Sequence, residues 1–182
     1  VECKSVLARN TSSMRLPGTD GNAKMSKSIG NCIYLADEPE VIKKKINSIK
    51  TFPRQLSEPG IIENNVLFIY LEAFCEDKHF EMFYPEFKNL YELQSAYSKG
   101  GIGDGRIKTF LNDIMQYVLK PIRERRKEYE KQIGYLIDVL KEGTIKANKV
   151  ANQTLSEIKK AMFINYFSDD EFKKEQIEKF NN

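Results

Sequence analysis

Histidine is almost missing from this chain: there is one, His79, in 182 residues. A histidine-rich metal centre is thereby excluded, and no Ser–His–Asp set or close carboxylate pair stands out to offer another catalytic centre. Cysteine is scarce as well. Cys3, Cys32 and Cys75 are odd in number, far apart and without metal-ligand spacing, so we expect reduced thiols in an intracellular protein. Long apolar runs are lacking: the most apolar segment, residues 66–75, is far too short to span a bilayer and contains Glu72. No charged-then-apolar leader opens the chain, and Val1 stands where an initiator Met would, which reads as a piece of something longer. Repeats and low-complexity tracts are absent. The net charge of +3 is too mild to require or exclude an RNA partner. A chain of this length can bury one sizeable core, or a small domain with an appended piece.

What is present is mostly helical periodicity behind a long polar loop. Residues 1–9 are partly apolar and read as a short terminal strand. Residues 10–31 are rich in Ser, Thr, Gly, Asn, Pro and Lys, a loop too long to be a mere connector. Asp37 and Glu40 have capping-box spacing around Pro39, followed by a stripe of Val41, Ile42, Ile46 and Ile49. Residues 51–60 connect. Asn64 or Asn65 can cap a helix running to Cys75 that is apolar nearly all round, hence central and buried. Pro85 is placed to open a helix with Phe87, Leu90, Tyr91 and Tyr97, ended by Gly100 and Gly101. Asp104 caps the next, whose apolar side is Ile107, Phe110, Leu111, Ile114 and Val118, and Pro121 is expected to kink or break it. Helical pattern resumes over residues 122–140. Gly143 stops it, and Thr144 starts another with Ala147, Ala151, Leu155, Ile158 and Met162. Ser168 and Glu171 have capping-box spacing before a weak final helix, and Asp169, Asp170 and Glu171 suit its N-terminal dipole. His79, in an acidic stretch, reads as a surface residue.

The loop holds the chemistry. Lys24-Met25-Ser26-Lys27-Ser28 sets two lysines three positions apart among hydroxyls, preceded by Leu16-Pro17-Gly18-Thr19-Asp20-Gly21 and followed by Ile29-Gly30-Asn31. Such a segment folds compact cations around a polyphosphate. It is not a P-loop, because no Gly stands immediately before Lys24 and no Ser or Thr immediately after it. Nor do Gly101, Gly103 and Gly105 make a dinucleotide fingerprint, since they alternate strictly; they suit a helix stop followed by a helix start.

The five-residue word resembles the mobile ATP loop of class I aminoacyl-tRNA synthetases, and the pattern Leu-Pro-Gly-x-Asp-Gly-x-x-Lys-Met-Ser-Lys-Ser-x-Gly-Asn resembles their tryptophanyl-tRNA synthetase family. A second likeness lies downstream in Gly100-Gly101-Ile102-Gly103-Asp104, Phe110-Leu111-Asn112 and Leu119-Lys120-Pro121-Ile122-Arg123-Glu124-Arg125-Arg126, which is similar to the carboxy-terminal helical domain of that family. Gly105 departs from it, since a bulky apolar residue is usual there, and should loosen the helix start. Together these signatures cover most of residues 14–160, in the family's order.

The resemblance implies a mainly α fold, a helical anticodon-binding bundle (37–182) preceded by a short strand and the lysine loop from the end of a Rossmann-like catalytic domain (1–36). It implies catalytic roles for Lys24 and Lys27 beside the β- and γ-phosphates of ATP with Mg²⁺, and ATP contacts from Gly21, Lys24, Met25, Ser26, Lys27 and Ser28. Gly18, Gly21 and Gly30 would allow the loop to move. The densest basic stretch, Arg123, Arg125 and Arg126 with Lys108 some turns earlier, suits tRNA phosphates near Tyr117 and Tyr129, or equally a solvated helix face with pairs such as Glu124–Lys127 or Arg125–Glu128. Further implied are L-tryptophan and tRNA(Trp) as substrates, a homodimer, a soluble non-membrane state and a cytoplasmic setting, with an organelle left open. The family's other motif, His-Ile-Gly-His, needs two histidines. This chain cannot hold an intact copy, and alone it is expected to lack activation activity. A tyrosyl-tRNA synthetase piece, or a non-catalytic tRNA-binding module, stand as alternatives.

Overall fold

The computed structural model describes residues 15–21, 24–166 and 169–181. The expected strand over residues 1–9 lies outside them, as does Ser168. Among the described residues there are seven α-helices and one isolated antiparallel bridge, between Pro17 and Lys24. The mainly helical expectation holds. None of these helices is long and apolar enough to cross a membrane.

The chain divides into two compact units, Val1–Lys127 and Glu128–Asn182. In the first, α1 (Pro39–Asn47), α2 (Val66–Phe74), α3 (Asp77–Phe83), α4 (Leu90–Tyr97) and the first part of α5 (Asp104–Glu130) surround one core. α2 is its centre, with Leu67, Phe68, Tyr70 and Leu71 all buried, as an all-round apolar helix requires. Asn65 is its cap: its side chain accepts from the Leu67 N–H at 3.1 Å, while Asn64 takes the left-handed conformation just before it. Around α2 pack Ile42, Ile46 and Ile49 from α1 and its end, Leu93 and Tyr97 from α4, and Ile107, Phe110, Leu111 and Ile114 from α5. Each such side chain contributes roughly 1.5–3 kcal/mol when fully buried. Val41, expected on the stripe, is exposed.

Several boundaries differ from the sequence reading, for local reasons. Asp37 does not cap α1. The residue before a proline is pushed into extended backbone, so Glu38 becomes the cap position ahead of Pro39. The Asp37 carboxylate instead accepts from the Tyr34 N–H at 2.9 Å and pairs with Lys45 at 2.5 Å. Pro85 opens nothing; α4 starts at Leu90, where the Asn89 side chain accepts from the Glu92 N–H at 3.0 Å. The short α3 is an element the apolar pattern did not announce. Its capping box is formed by Glu76 and His79, with the Glu76 N–H donating to His79 Nδ1 at 2.9 Å. His79 is therefore no surface residue: it is buried, stacked near Phe83 and edge-on to Tyr117.

Gly100 and Gly101 both take positive φ, at 92° and 88°, and end the α4 segment as expected. Despite Gly105, the start of α5 is held firmly. Asp104 accepts from the Tyr97 hydroxyl at 2.6 Å and from Arg54 at 3.1 Å, and Arg54 also donates to the carbonyls of Ile102 and Glu58 at 2.6 and 2.9 Å. Burial pushes the Asp104 carboxyl up, but hydrogen bonds from Tyr97, Thr51 and Arg54 outweigh it and hold the pKa below its ordinary value. α5 runs unbroken through Pro121.

The second unit contains α6 (Ile133–Ala161) and α7 (Asp170–Phe180). Gly143 does not end α6, and Thr144 sits inside it, donating back to the Leu140 carbonyl at 2.8 Å. α6 stops in a Schellman arrangement: Ile164 N–H to the Lys159 carbonyl at 2.9 Å and Phe163 N–H to Lys160 at 3.1 Å, with Phe163 at a φ of 54°. Asp169 caps α7, accepting from the Phe172 N–H at 3.0 Å. Neither helix buries a residue.

Candidate functional site: the lysine loop

The loop is tied to the core at its start. Tyr70, buried on α2, donates its hydroxyl to the Pro17 carbonyl at 2.8 Å, and desolvation raises its pKa. From there the chain turns at Gly18–Gly21, where the Gly21 N–H reaches the Gly18 carbonyl at 2.9 Å and Gly21 takes a φ of 75°. Returning, Met25 N–H donates to the Leu16 carbonyl at 3.3 Å beside the Pro17–Lys24 bridge. A second turn follows: the Gly30 N–H donates to the Ser26 carbonyl at 3.1 Å, with Gly30 at a φ of 77°. These positive φ values are what the glycines at 21 and 30 are needed for.

Both lysines, Lys24 and Lys27, are exposed, as is Ser28; Ser26 is half-buried, and the two serine hydroxyls stand 2.9 Å apart. Met25 turns the other way and packs on the core. The loop thus sends its apolar residue inward and its cations and a hydroxyl outward. Chemically that is a set of donors for phosphate oxygens. A group of three or more His, Cys, Asp or Glu able to hold a metal ion does not occur among the described residues. Mg²⁺ would fit this donor set only as a companion of nucleotide phosphates, not as an ion held by the chain itself.

Asn31, the last residue of the sequence pattern, holds a central place in the structure. It is buried, and its side chain bridges both turns. Oδ1 accepts from the Ser26 N–H at 2.8 Å, Nδ2 donates to Asp20 Oδ1 at 3.0 Å and approaches the Lys24 carbonyl at 3.5 Å. Its own carbonyl accepts from the Thr19 N–H at 2.9 Å and the Thr19 hydroxyl at 3.3 Å. Thr19, Asp20 and Asn31 floor an open cleft of about 260 Å³ beside the loop. The signal available in the sequence was two short polar residues, Asp20 and Asn31, flanking the glycine turns.

The basic stretch divides. Arg125 and Arg126 are exposed. Arg123 is buried and donates to Gln116 Oε1 at 3.0 Å, and Gln116 in turn donates to the Pro39 carbonyl at 3.0 Å. Lys108 donates to the Asn47 carbonyl at the end of α1, at 2.8 Å, and its burial lowers its pKa. Lys127 pairs with Glu38 at 3.1 Å rather than with Glu124. Tyr117 and Tyr129 are each a little under half exposed, Tyr117 with one edge against His79.

A family model described as tRNA synthetases class I (W and Y) matches residues 5–120, and the chain belongs to that family. Its curated relatives include tryptophan–tRNA ligases. That of Clostridium longisporum is 48% identical over 171 residues, 93% of this chain and 47% of the relative. That of Lactococcus lactis is 45% identical over 169 residues, 92% of this chain and 48% of the relative. Among solved structures, tryptophanyl-tRNA synthetase from Campylobacter jejuni, in complex with ADP and tryptophan, matches with a TM-score of 0.66 at 32% identity, covering 81% of this chain and 43% of that one. The chain spans about half the length of the curated relatives it matches.

Proposed function

We propose that this chain supplies the ATP loop and the helical tRNA-binding part of a cytoplasmic tryptophan–tRNA ligase. The complete protein would join L-tryptophan to tRNA(Trp) through an aminoacyl-adenylate. The observation that carries the reading is the outward pair Lys24 and Lys27 on a loop whose backbone is tied down on both sides. In adenylate formation the amino-acid carboxylate attacks the α-phosphorus, and charge gathers on the departing pyrophosphate. Exposed ammonium groups at fixed roots stabilise that charge more than the ground state. The Ser26 and Ser28 hydroxyls would add hydrogen bonds, Gly21 would let the backbone turn beside the nucleotide, and Met25 holds the loop against the core. Mg²⁺ bound through the ATP phosphates would share the charge neutralisation.

Residues 1–36 would belong functionally to the catalytic part and 37–182 to the tRNA-reading part, with the exposed Arg125 and Arg126 facing tRNA, while Arg123 and Lys108, bonded to Gln116 and to the Asn47 carbonyl, would shape the surface behind them. The complete enzyme would act as a homodimer.

Tryptophan-dependent ATP–pyrophosphate exchange tests this. The complete protein is expected to exchange with tryptophan and not with tyrosine, and this chain alone to show none. Lys27→Ala in the complete protein should lower the exchange rate by roughly 10²–10³, as loss of one charge-stabilising donor does, with little change in tryptophan binding. Lys24→Ala should be milder. An unchanged rate in Lys27→Ala would remove that lysine from the mechanism.

A further inference from the structure

We propose that Asn31 is the positioning residue of the lysine loop, acting with Asp20 as a brace that fixes the backbone from which Lys24 and Lys27 project; this rests on the ATP-loop reading above. Among the described residues between the two glycine turns Met25 packs on the core while Ile29 is exposed, so hydrogen bonds rather than apolar packing must set most of the loop's shape. Beside the backbone bonds of the two turns, the side-chain bonds that join them converge on one amide. Asn31 Oδ1 takes the Ser26 N–H, between the two lysines, at 2.8 Å. Nδ2 reaches the Lys24 carbonyl at 3.5 Å and Asp20 Oδ1 at 3.0 Å, so the approach to the loop and its return are linked through one side chain. A neutral amide is suited to this because it donates from one end and accepts at the other.

Gly18 supports the same assignment independently. It has no need of positive φ, yet a Cβ there would lie 2.1 Å from Asn31 Nδ2 and 2.4 Å from its Cγ. Gly18 is therefore the space in which the Asn31 amide sits, and a methyl group would evict it from its three partners. Asn31 touches no phosphate in this scheme. It acts through the loop, and its loss misplaces the lysines.

Three variants and a swap test the idea. In the complete protein, Asn31→Ala and Gly18→Ala should each lower kcat for ATP–pyrophosphate exchange by roughly ten- to a hundredfold, the cost of misplacing a catalytic group by about an ångström. KM for tryptophan should stay within about twofold, because a displaced lysine loop acts on the phosphates rather than on the amino acid. Asn31→Asp keeps an acceptor for Ser26 but sets a carboxylate against Asp20, and should be impaired as well. Adding Asp20→Asn to it restores a donor–acceptor pair with the roles exchanged, and should recover most of the rate.

A second readout, on this chain itself, does not need activity. Trypsin cleavage after Lys24 and Lys27, measured by mass spectrometry relative to cleavage after Lys131, should quicken in Asn31→Ala and Gly18→Ala and return to normal in the swap. Full kcat in Asn31→Ala and Asn31→Asp, with Lys27→Ala crippled in the same assay, overturns the brace and leaves the functional reading intact. If Lys27→Ala also keeps its rate, the functional reading fails, and unchanged trypsin cleavage would then sink the brace too. Loss of the far-UV helix signal in all the single variants would make Asn31 a merely structural group and overturn the positioning role.

Discussion

A histidine that accepts a backbone proton at one nitrogen and is shut away from water at the other resists taking up a second proton. His79 is in that position: Nδ1 accepts from Glu76 N–H, and Nε2 is buried without a partner. Burial first, then Lys78, push its pKa below the ordinary 6.5, with Glu76 opposing; Tyr117 is the group facing it from α5. The unfolded chain therefore binds the proton first as pH falls. Stability is complete above about 6.5 and is lost between there and the lower folded pKa, since protonation also breaks the α3 cap. Gln at this position can still accept in a capping box but does not titrate. We expect His79→Gln to flatten the fall in Tm as the pH drops below about 6.5, measured by circular dichroism; an unaltered pH profile would refute the assignment. Asp104, held below its ordinary value, adds an acid limb at lower pH, where protonation releases Tyr97 and Arg54. The sequence could not have shown His79 as buried, because its neighbours Asp77, Lys78 and Glu81 are polar and only the three-dimensional contact with Phe83 and Tyr117 covers the ring.

At the scale of elements, two residues that ordinarily punctuate helices fail to do so here. Pro121 removes one hydrogen bond from α5, yet the helix continues because Met115 and Leu119 before it and Arg123 after it all face the interior. The freed carbonyl, that of Tyr117, belongs to a residue with 45% exposure and can be hydrated. Gly143 lies between Leu140 and Ala147 at spacings of three and four, so the apolar period passes through it without a phase change. Pro121 is exposed, and a Cβ on Gly143 meets nothing within 4 Å. Both sites therefore carry a backbone cost without a packing return. Pro121→Ala should stabilise the protein by about 1–3 kcal/mol and Gly143→Ala by about 0.5–1 kcal/mol, read from denaturant midpoints or, for α6, from the helix signal on heating. Destabilisation by either would reveal a packing role for the residue. Helix existence was legible in the 3.6-residue period, whereas starts and stops depended on competing local chemistry. Asp37 was drawn off by Tyr34 and Lys45, and α3 hid in seven residues too short to show a period.

For the whole molecule, the basic stretch that looked uniform in the sequence divides into interior and surface roles. Arg123 is buried against Gln116, and removing it should destabilise the fold, by roughly 1–3 kcal/mol as for a lost hydrogen bond to a charged group. Arg125 and Arg126 are exposed, and replacing both by Ala should leave the Tm nearly unchanged. If they contact tRNA phosphates in the complete protein, the slope of log affinity against log salt should fall by about 0.7 per contact. Titrations at several salt concentrations check this, and an unchanged slope would place the tRNA elsewhere.

The sequence by itself determined the helical class, the central place of α2, the glycine stop after α4 and the family, because each rests on periodicity, composition or a contiguous word that survives without folding. The tertiary structure alone decided which polar residues leave the surface. Asn31, His79 and Arg123 look as solvated as their neighbours along the chain, and become interior only when segments distant in sequence, such as α5 against α3 or one glycine turn against the next, close over them. Burying a polar group is tolerated only where partners meet it, and partners that meet across a fold cannot be read from spacing along a chain.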